Sequence, residues 1–432
     1  MVSNLRLEKN LDNKSKVKIS PARFSAYEIL LRIEKEKAYS SVLLPFFESE
    51  LSIQDRSLCH ELTLGILRKQ IYLDKVIEIF TTKKLDLEVR ISLRIGLYQL
   101  LFLDKIPAYS AINESVNLVQ AAKKTSAKGF VNAILRRVSR EKIELKFTDE
   151  IERISVETSH PRWLIEKWIG DFGFAETEQI AIANNQTPKM DFRFTAKTSE
   201  AIRKSFEQEN IENEKAFLRD LAANGKIYFQ DEGSQLIGQA VNLQTDERFL
   251  DVCAAPGSKL TQIAISSKQT VFGGDLHFSR VKLLKENAHK QGLQNVQVLQ
   301  YDSENSMPFM EEIFDVILLD APCSGTGTIR HNPEIRYHLA KKDFAELSVK
   351  QLKILKNASK HLKRGGRLIY STCSMEGEEN EGVIKKFLTE NEAFSKTENS
   401  VSEKFQTRNG FTRTFPHRDK IDGFFIATLK KS

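Results

Sequence analysis

Between Phe249 and Cys373 the chain repeats one unit, a short apolar run, a break of glycine, proline or polar residues, and then usually a helical pattern. The runs are RFLDVCA, QTVFGGD, VQVLQYD, FDVILLD and GRLIYSTC. Short apolar strands alternating with helices imply a parallel sheet that is buried on both faces. That constraint also says where function is to be sought, because in such sheets ligands bind beyond the carboxyl ends of the strands. Each of the five runs carries an acid or a cysteine at or next to its carboxyl end.

A chain of 432 residues exceeds what one hydrophobic core usually organises, so further domains are expected. Residues 1–20 are polar and rich in Lys and Asn and read as a disordered basic tail, with Pro21 opening the ordered part. From 21 to 145 the apolar period is helical. Ile91, Ile95, Tyr98 and Phe102 recur at helical spacing, and Ile112, Val116 and Val119 resume it after Pro107, which predicts a compact all-α domain. Cys59 falls on the apolar side of one helix and reads as core. Residues 146–228 read as a linker and a small α/β segment, containing the helix HPRWLIEKWIGDFGF with Trp163 and Trp168 and the strand DFRFTAKT. The α/β domain then occupies 229–432.

The formal charge of +7 favours anionic partners, though a solvated surface accounts for it nearly as well. Basic residues gather at Lys123, Lys124, Lys128, Arg136, Arg137 and Arg140, and on a helix Arg136 and Arg140 would share a face. Such a cluster could grip phosphates, or be a plain exposed helix face. Four cysteines are too few and too scattered for a disulfide framework or a paired-cysteine zinc site, and no metal is expected. There is no apolar run of membrane-spanning length and no secretory apolar core, so the expected location is the cytoplasm, without membrane attachment.

The first strand runs into DVCAAPGSKL, a small-residue turn that lets backbone N–H groups approach a polar ligand. Its spacing is neither GxGxxG nor GxxxxGK[ST], which disfavours a dinucleotide or a nucleoside triphosphate. Asp275 follows at the distance where a carboxylate commonly accepts both ribose hydroxyls, and Asp302 and Asp320 end the next two strands. Three strand-end carboxylates around one such turn suit a nucleoside that carries an amine donor. A magnesium site and simple capping of the following helices are the competing readings.

Cys323 and Cys373 end the fourth and fifth units. Carbon 5 of cytosine is a poor nucleophile until a thiolate adds at carbon 6, and the carbon-5 proton must leave afterwards before the thiol can depart. Two cysteines on neighbouring strand ends suit a nucleophile and a helper. Taken singly, each could equally be a buried small hydrophobe. The flanking Pro322, Gly325, Ser371, Thr372 and Ser374 make turns that would expose them.

DVCAAPGSK, Asp275, Asp302, DAPCSGTG and STCS, in that order, resemble the motif set of the Sun-type RNA cytosine-C5 methyltransferases, over about 200 residues from 230 to 422. The helical region resembles the RNA-binding domain related to the antitermination factor NusB, and the combination is similar to the RsmB/Sun family acting on small-subunit (16S) ribosomal RNA. The resemblance implies a Rossmann-like methyltransferase domain preceded by a NusB-like domain, S-adenosylmethionine as cofactor, and a monomeric enzyme acting on ribosomal RNA. It implies Cys373 as nucleophile, Cys323 in product release and Asp320 positioning the cytosine at nitrogen 3. Cys253, Ala254, Ala255, Pro256, Gly257, Ser258 and Lys259 would contact the cofactor, with Asp275 on its ribose, Arg280 near its methionine end, Asp302 beside its adenine and Asp320 between cofactor and base. One departure is Ser258, where the family's turn has a second glycine, and cofactor binding is expected to survive it. Phe424 and Phe425, in the last hairpin, are expected to be core. The alternatives are another RNA such as transfer RNA, or an RNA-binding assembly factor without catalysis. DNA is disfavoured, since DNA cytosine methyltransferases place their nucleophile in the Pro-Cys motif and have no need of STCS.

Overall fold

The computed structural model describes residues 18–208 and 215–432, so the expected basic tail lies outside the described residues up to position 17. The chain divides into two compact units. One holds the described residues up to Asn185 together with Asn332–His338, and the other holds Gln186–His331 and Leu339–Ser432.

Among its described residues the first unit has helices and no strand. Pro21 stands at the start of its first helix, Pro21–Glu36, where a missing N–H costs nothing. Leu87–Phe102 is the central helix. Its residues from Ile91 to Gln99 are all buried, because neighbours cover it on every side rather than along one stripe. Arg94 lies inside this packing at 2% side-chain exposure, paired with Asp74 at 2.6 Å and with Glu34. After Pro107 the helix Ala108–Ala121 follows as the periodicity predicted. The helix Lys128–Val138 stops before Arg140, whose N–H bonds to Arg137 O in the turn beyond, so Arg136 and Arg140 do not share a helical face.

Residues expected to be a linker extend this unit. Asp149 accepts from Glu152 N at 2.7 Å and caps the helix Glu150–Glu157, which buries Ile154 and Val156. Arg162–Phe172, with Trp168 fully buried, and Phe174–Ala183 follow. These helices pack with the preceding ones, so the compact unit continues to Asn185. Charged residues on a one-face helix had hidden its short apolar stripe.

The segment Asn332–His338 completes the helical unit from far along the chain. Buried Glu334 accepts from Ser40 N at 2.7 Å and from Ser40 Oγ at 2.9 Å. Buried Arg336 donates to Thr158 O at 3.0 Å, Ser159 O at 3.3 Å, Asn185 Oδ1 at 3.0 Å and Asn184 O at 3.4 Å. Tyr337 Oη donates to Leu67 O at 2.7 Å. Burial and the Arg336 charge push the neighbouring His160 well below its ordinary pKa, so its imidazole is neutral.

Among its described residues the second unit contains ten strands: β1 Phe192–Phe194, β2 Ile227–Phe229, β3 Phe249–Asp251, β4 Val271–Asp275, β5 Val296–Gln300, β6 Phe314–Asp320, β7 Leu362–Thr372, β8 Phe394–Thr397, β9 Thr412–Arg413 and β10 Phe425–Lys431. β1 and β2 pair antiparallel in a small sheet of their own. The main sheet has the order β5-β4-β3-β6-β7-β10-β8, with β9 on β10. β3, β4, β5, β6 and β7 are mutually parallel and are the five runs read from the sequence, while β10 is antiparallel to β7 and β8. The chain winds outward in opposite directions from β3 and from β6, which opens a crevice at their carboxyl ends.

Replacing Arg336 by alanine should destabilise the helical unit by about 2–4 kcal/mol, since it strands several buried acceptors at once. Calorimetry of the full chain checks this. The helical unit's transition should drop by several degrees, and an unchanged transition would show that the segment is not part of that cooperative unit.

Candidate active site

Asp251 ends β3 with its side chain buried, and neither carboxyl oxygen makes a well-formed hydrogen bond. Burial and the neighbouring Asp320 charge push its pKa up to about 8, against the opposing effect of Lys259. The turn that follows contains a cis Ala255–Pro256 bond and Gly257 at φ +105°, a conformation that only glycine adopts freely. Ser258 is the first residue of the helix Ser258–Ala264 and has negative φ. Serine in place of the second glycine therefore meets no backbone strain. The turn is braced from β1, where buried Arg193 donates to Ser258 O at 3.1 Å and to Thr261 Oγ1 at 2.7 Å.

Lys259 reaches across to Asp320 at the end of β6, with Nζ 2.6 Å from Oδ2. Burial opposes its charge, but Asp320, Cys373 and Asp251 outweigh that and hold the ammonium above the ordinary lysine range. The other Asp320 oxygen accepts from Ser371 Oγ at 2.8 Å, in keeping with the β6–β7 register that pairs Asp320 with Ser371. Phe424 lies under Lys259, with Nζ 5.8 Å from the ring centre, and Phe424 and Phe425 are both buried as expected.

Beyond these strand ends Cys323 and Cys373 meet, with their sulfurs 3.4 Å apart. The hydrogen bond to Cys373, burial, and the charges of Cys373, Glu379 and Asp320 all push the Cys323 thiol well above its ordinary range. Cys253 is a different kind of thiol, pushed up to about 12 first by burial, with Ser303 Oγ at 3.8 Å. Cys59 is a fully buried core residue in the helix Ile53–Arg68, likewise pushed up to about 12 by burial.

On the other side of the turn, buried Asp275 ends β4 and lies 3.4 Å from Arg280 Nη2, which also donates to Ala255 O at 2.8 Å. Asp302 stands two residues past β5 and uses both oxygens within its own loop, accepting from Glu304 N at 2.9 Å and Asn305 Nδ2 at 2.7 Å. The structure therefore gathers Asp251, Lys259, Asp320, Cys323 and Cys373 into one connected group, flanked by Asp275 and Arg280.

Two functional candidates were not singled out from the sequence. Asp251 was read only as part of its turn. Glu379, within the acidic run EGEENE, looks like a solvated charge, yet it is fully buried beneath the two cysteines. Asp231, His331 and Asp422 also cluster, with ligand-type atoms within 4.8 Å of one another. Arg330 is seated among them, its Nε 2.5 Å from Asp422 and its Nη2 2.9 Å from Asp231, so this group reads as an ion-paired strut.

Residues 238–430 match the family described as 16S rRNA methyltransferase RsmB/F, residues 20–140 the NusB family and residues 160–220 the ferredoxin-like domain of RsmF/B-like methyltransferases. The chain is 36% identical to the probable ribosomal RNA small subunit methyltransferase B of Bacillus subtilis, covering 96% of this chain and 100% of that one. It is 33% identical to the protein of the same description from Synechocystis sp., over 95% and 99% of the two chains. Among solved structures, PH0851 superposes with a TM-score of 0.79 at 26% identity, covering 96% of this chain and 100% of that one. Since relatives this similar align end to end, and the family's methyltransferase region carries the whole strand-end group, the chain belongs to the 16S rRNA methyltransferase RsmB/F family of S-adenosylmethionine-dependent RNA methyltransferases.

Proposed function

We propose that the protein methylates carbon 5 of a cytosine in small-subunit ribosomal RNA through a covalent adduct between Cys373 and carbon 6. The observation that carries this reading is the 3.4 Å approach of the two sulfurs beside the Lys259–Asp320 pair. In this reading Cys373 attacks carbon 6, which turns carbon 5 into an enamine-type nucleophile. Asp320 orients the base at nitrogen 3, and the Lys259 ammonium beside it supplies the positive charge the ring needs there as electron density builds up.

Cys323 acts after methyl transfer. Its proton is held chiefly by the hydrogen bond to Cys373, and that hold disappears once Cys373 has become a neutral thioether. Cys323 then gives its proton to solvent and, as a thiolate, takes the carbon-5 proton. The electrons of that C–H bond re-form the ring double bond, the carbon-6–sulfur bond breaks and Cys373 leaves as a thiolate. The thiol that begins beside the nucleophile thus ends as the base for release.

S-adenosylmethionine, when bound, supplies the methyl group as an electrophile. The turn from Cys253 to Lys259 holds it, together with Asp275, Arg280 and Asp302. Asp251 supports this fit. A buried carboxyl with no hydrogen-bond partner is costly by itself, and an amino acid ammonium is the kind of group that relieves it. The target cytosine must leave its stack to reach a strand-end cleft. In the helical unit Lys124 is paired with Asp86 and Arg137 with Glu141. Exposed Lys123, Arg136 and Arg140 have no acidic partner among the described residues and are proposed to grip phosphates, with salt-sensitive affinity.

With unmodified ribosomal RNA and labelled S-adenosylmethionine, Cys323→Ser should accumulate a covalent protein–RNA band on a denaturing gel. Cys373→Ser should give neither that band nor label in the RNA. A band from Cys373→Ser instead would reverse the two roles.

Asp251 gives a second expectation. At pH 7 its carboxyl is protonated, because its pKa is near 8, and a bound ammonium favours the ionised form. Cofactor binding at pH 7 should therefore release on the order of one proton, and affinity should rise between pH 6 and 7. Titration calorimetry in buffers of different ionisation enthalpy measures the release. Asp251→Asn should abolish it, and equal proton release by parent and variant would remove Asp251 from the ammonium site.

A further inference from the structure

Each of the two cysteines is followed by a serine, Ser324 and Ser374, and the two hydroxyl oxygens lie 3.0 Å apart. Beneath them sits Glu379, at 0% exposure. Its Oε1 accepts from Ser324 N at 2.9 Å and from Gln351 Nε2 at 3.0 Å. Its Oε2 accepts from Ser374 Oγ at 2.5 Å and from Ser324 Oγ. Gln351, in the helix Lys341–Lys360, also donates to Pro322 O at 3.0 Å, so the residue before Cys323 is tied to the same point as the residue after it.

The backbone of Glu379 is fixed as well. Its carbonyl accepts from Tyr370 Oη at 2.6 Å, and the adjacent Asn380 takes Thr372 Oγ1 at 2.5 Å and donates to Ser374 O at 2.8 Å. These bonds stand where the sheet gives out. The β6–β7 ladder ends at Asp320 and Ser371, and one further bond, Ala321 N to Ser371 O at 2.8 Å, closes it. Past that point parallel strands have no ladder to hold their loops in register. A buried carboxylate is expensive, and one that collects donors from both loops has a positioning task that justifies the expense.

We propose that Glu379 is a positioning residue for the methyl transfer, a buried carboxylate that clamps both cysteine loops and helps set the distance between Cys323 and Cys373. The proposal rests on the reading of those thiols as the reacting pair. Glutamine substitutes poorly for it, because an amide offers one acceptor oxygen and its N–H groups would force the two serine hydroxyls, now donors, to turn round and accept. Displacements of about 1 Å at a reacting centre can cost about a hundredfold in rate.

The test uses the full chain with unmodified ribosomal RNA. Glu379→Gln should lower kcat about 10- to 100-fold while KM for RNA and the affinity for S-adenosylmethionine stay within about twofold, and Glu379→Asp should recover part of the loss. Built on Cys323→Ser, Glu379→Gln should slow formation of the covalent protein–RNA band by a similar factor. If cofactor binding is lost along with the fold, Ser374→Ala, which removes one tie and leaves the carboxylate, should show the same fall in kcat at constant KM. A double variant that traps as fast as Cys323→Ser, or a Ser374→Ala enzyme with parental kcat, would overturn the role of Glu379. Absence of a trapped band from Cys323→Ser alone would instead sink the underlying reading of the thiols.

Discussion

The parallel pairing of β6 with β7 is the constraint on which the site depends. Parallel strands end on the same edge of a sheet, so the register that sets Asp320 beside Ser371 also brings together loops whose cysteines are separated by fifty positions. An antiparallel pair would have put those ends on opposite edges. β10 then enters antiparallel beside β7, with Phe425 opposite Thr372, and so delivers the residues just before it to the same edge. Gly423 N bonds to Gly327 O and Gly327 N to Cys373 O, both at 2.9 Å. A Cβ on Gly327 would lie 2.0 Å from Gly423 O, so glycine at that position is what permits the loops to close on each other.

Electrostatics organises the group that this geometry assembles. Lys259 is a half-buried cation that pairs with Asp320 and is also drawn on by Asp251. Asp320 holds the ammonium directly, Asp251 keeps its proton near neutral pH, and Cys323, surrounded by negative neighbours, keeps its own. Such coupling is strong because the residues are withdrawn from water, where screening would dissolve it.

Much of the α/β unit was legible in the sequence. The five apolar runs became β3 to β7, the acids and cysteines fell at or just past their carboxyl ends, and the last hairpin buried Phe424 and Phe425. Those features are local, since a strand covered on both faces must be apolar all along and a turn must be small or polar. The helix Leu87–Phe102 was legible as a helix, but its burial on every side was not. Buried charges were the least legible part. Arg94, Arg193, Arg336 and Glu379 are all buried, although single-sequence reasoning places such residues at the surface unless their partners are known. The charged stretch before His160 concealed a capped helix for the same reason.

What the sequence determined by itself was the order of strands and breaks, the chemistry available at each strand end and the helical character of the first unit. Periodicity and turn chemistry act over a few residues and are written directly in the chain. The tertiary structure alone decided which of those ends meet. It put Cys323 against Cys373, Lys259 on Asp320 and Glu379 under both serines. It also assigned Asn332–His338 to the helical unit, where Glu334 and Arg336 find their partners among residues numbered 40 to 185. A buried charge is stable only when distant donors or acceptors converge on it, and that convergence is a property of the folded chain.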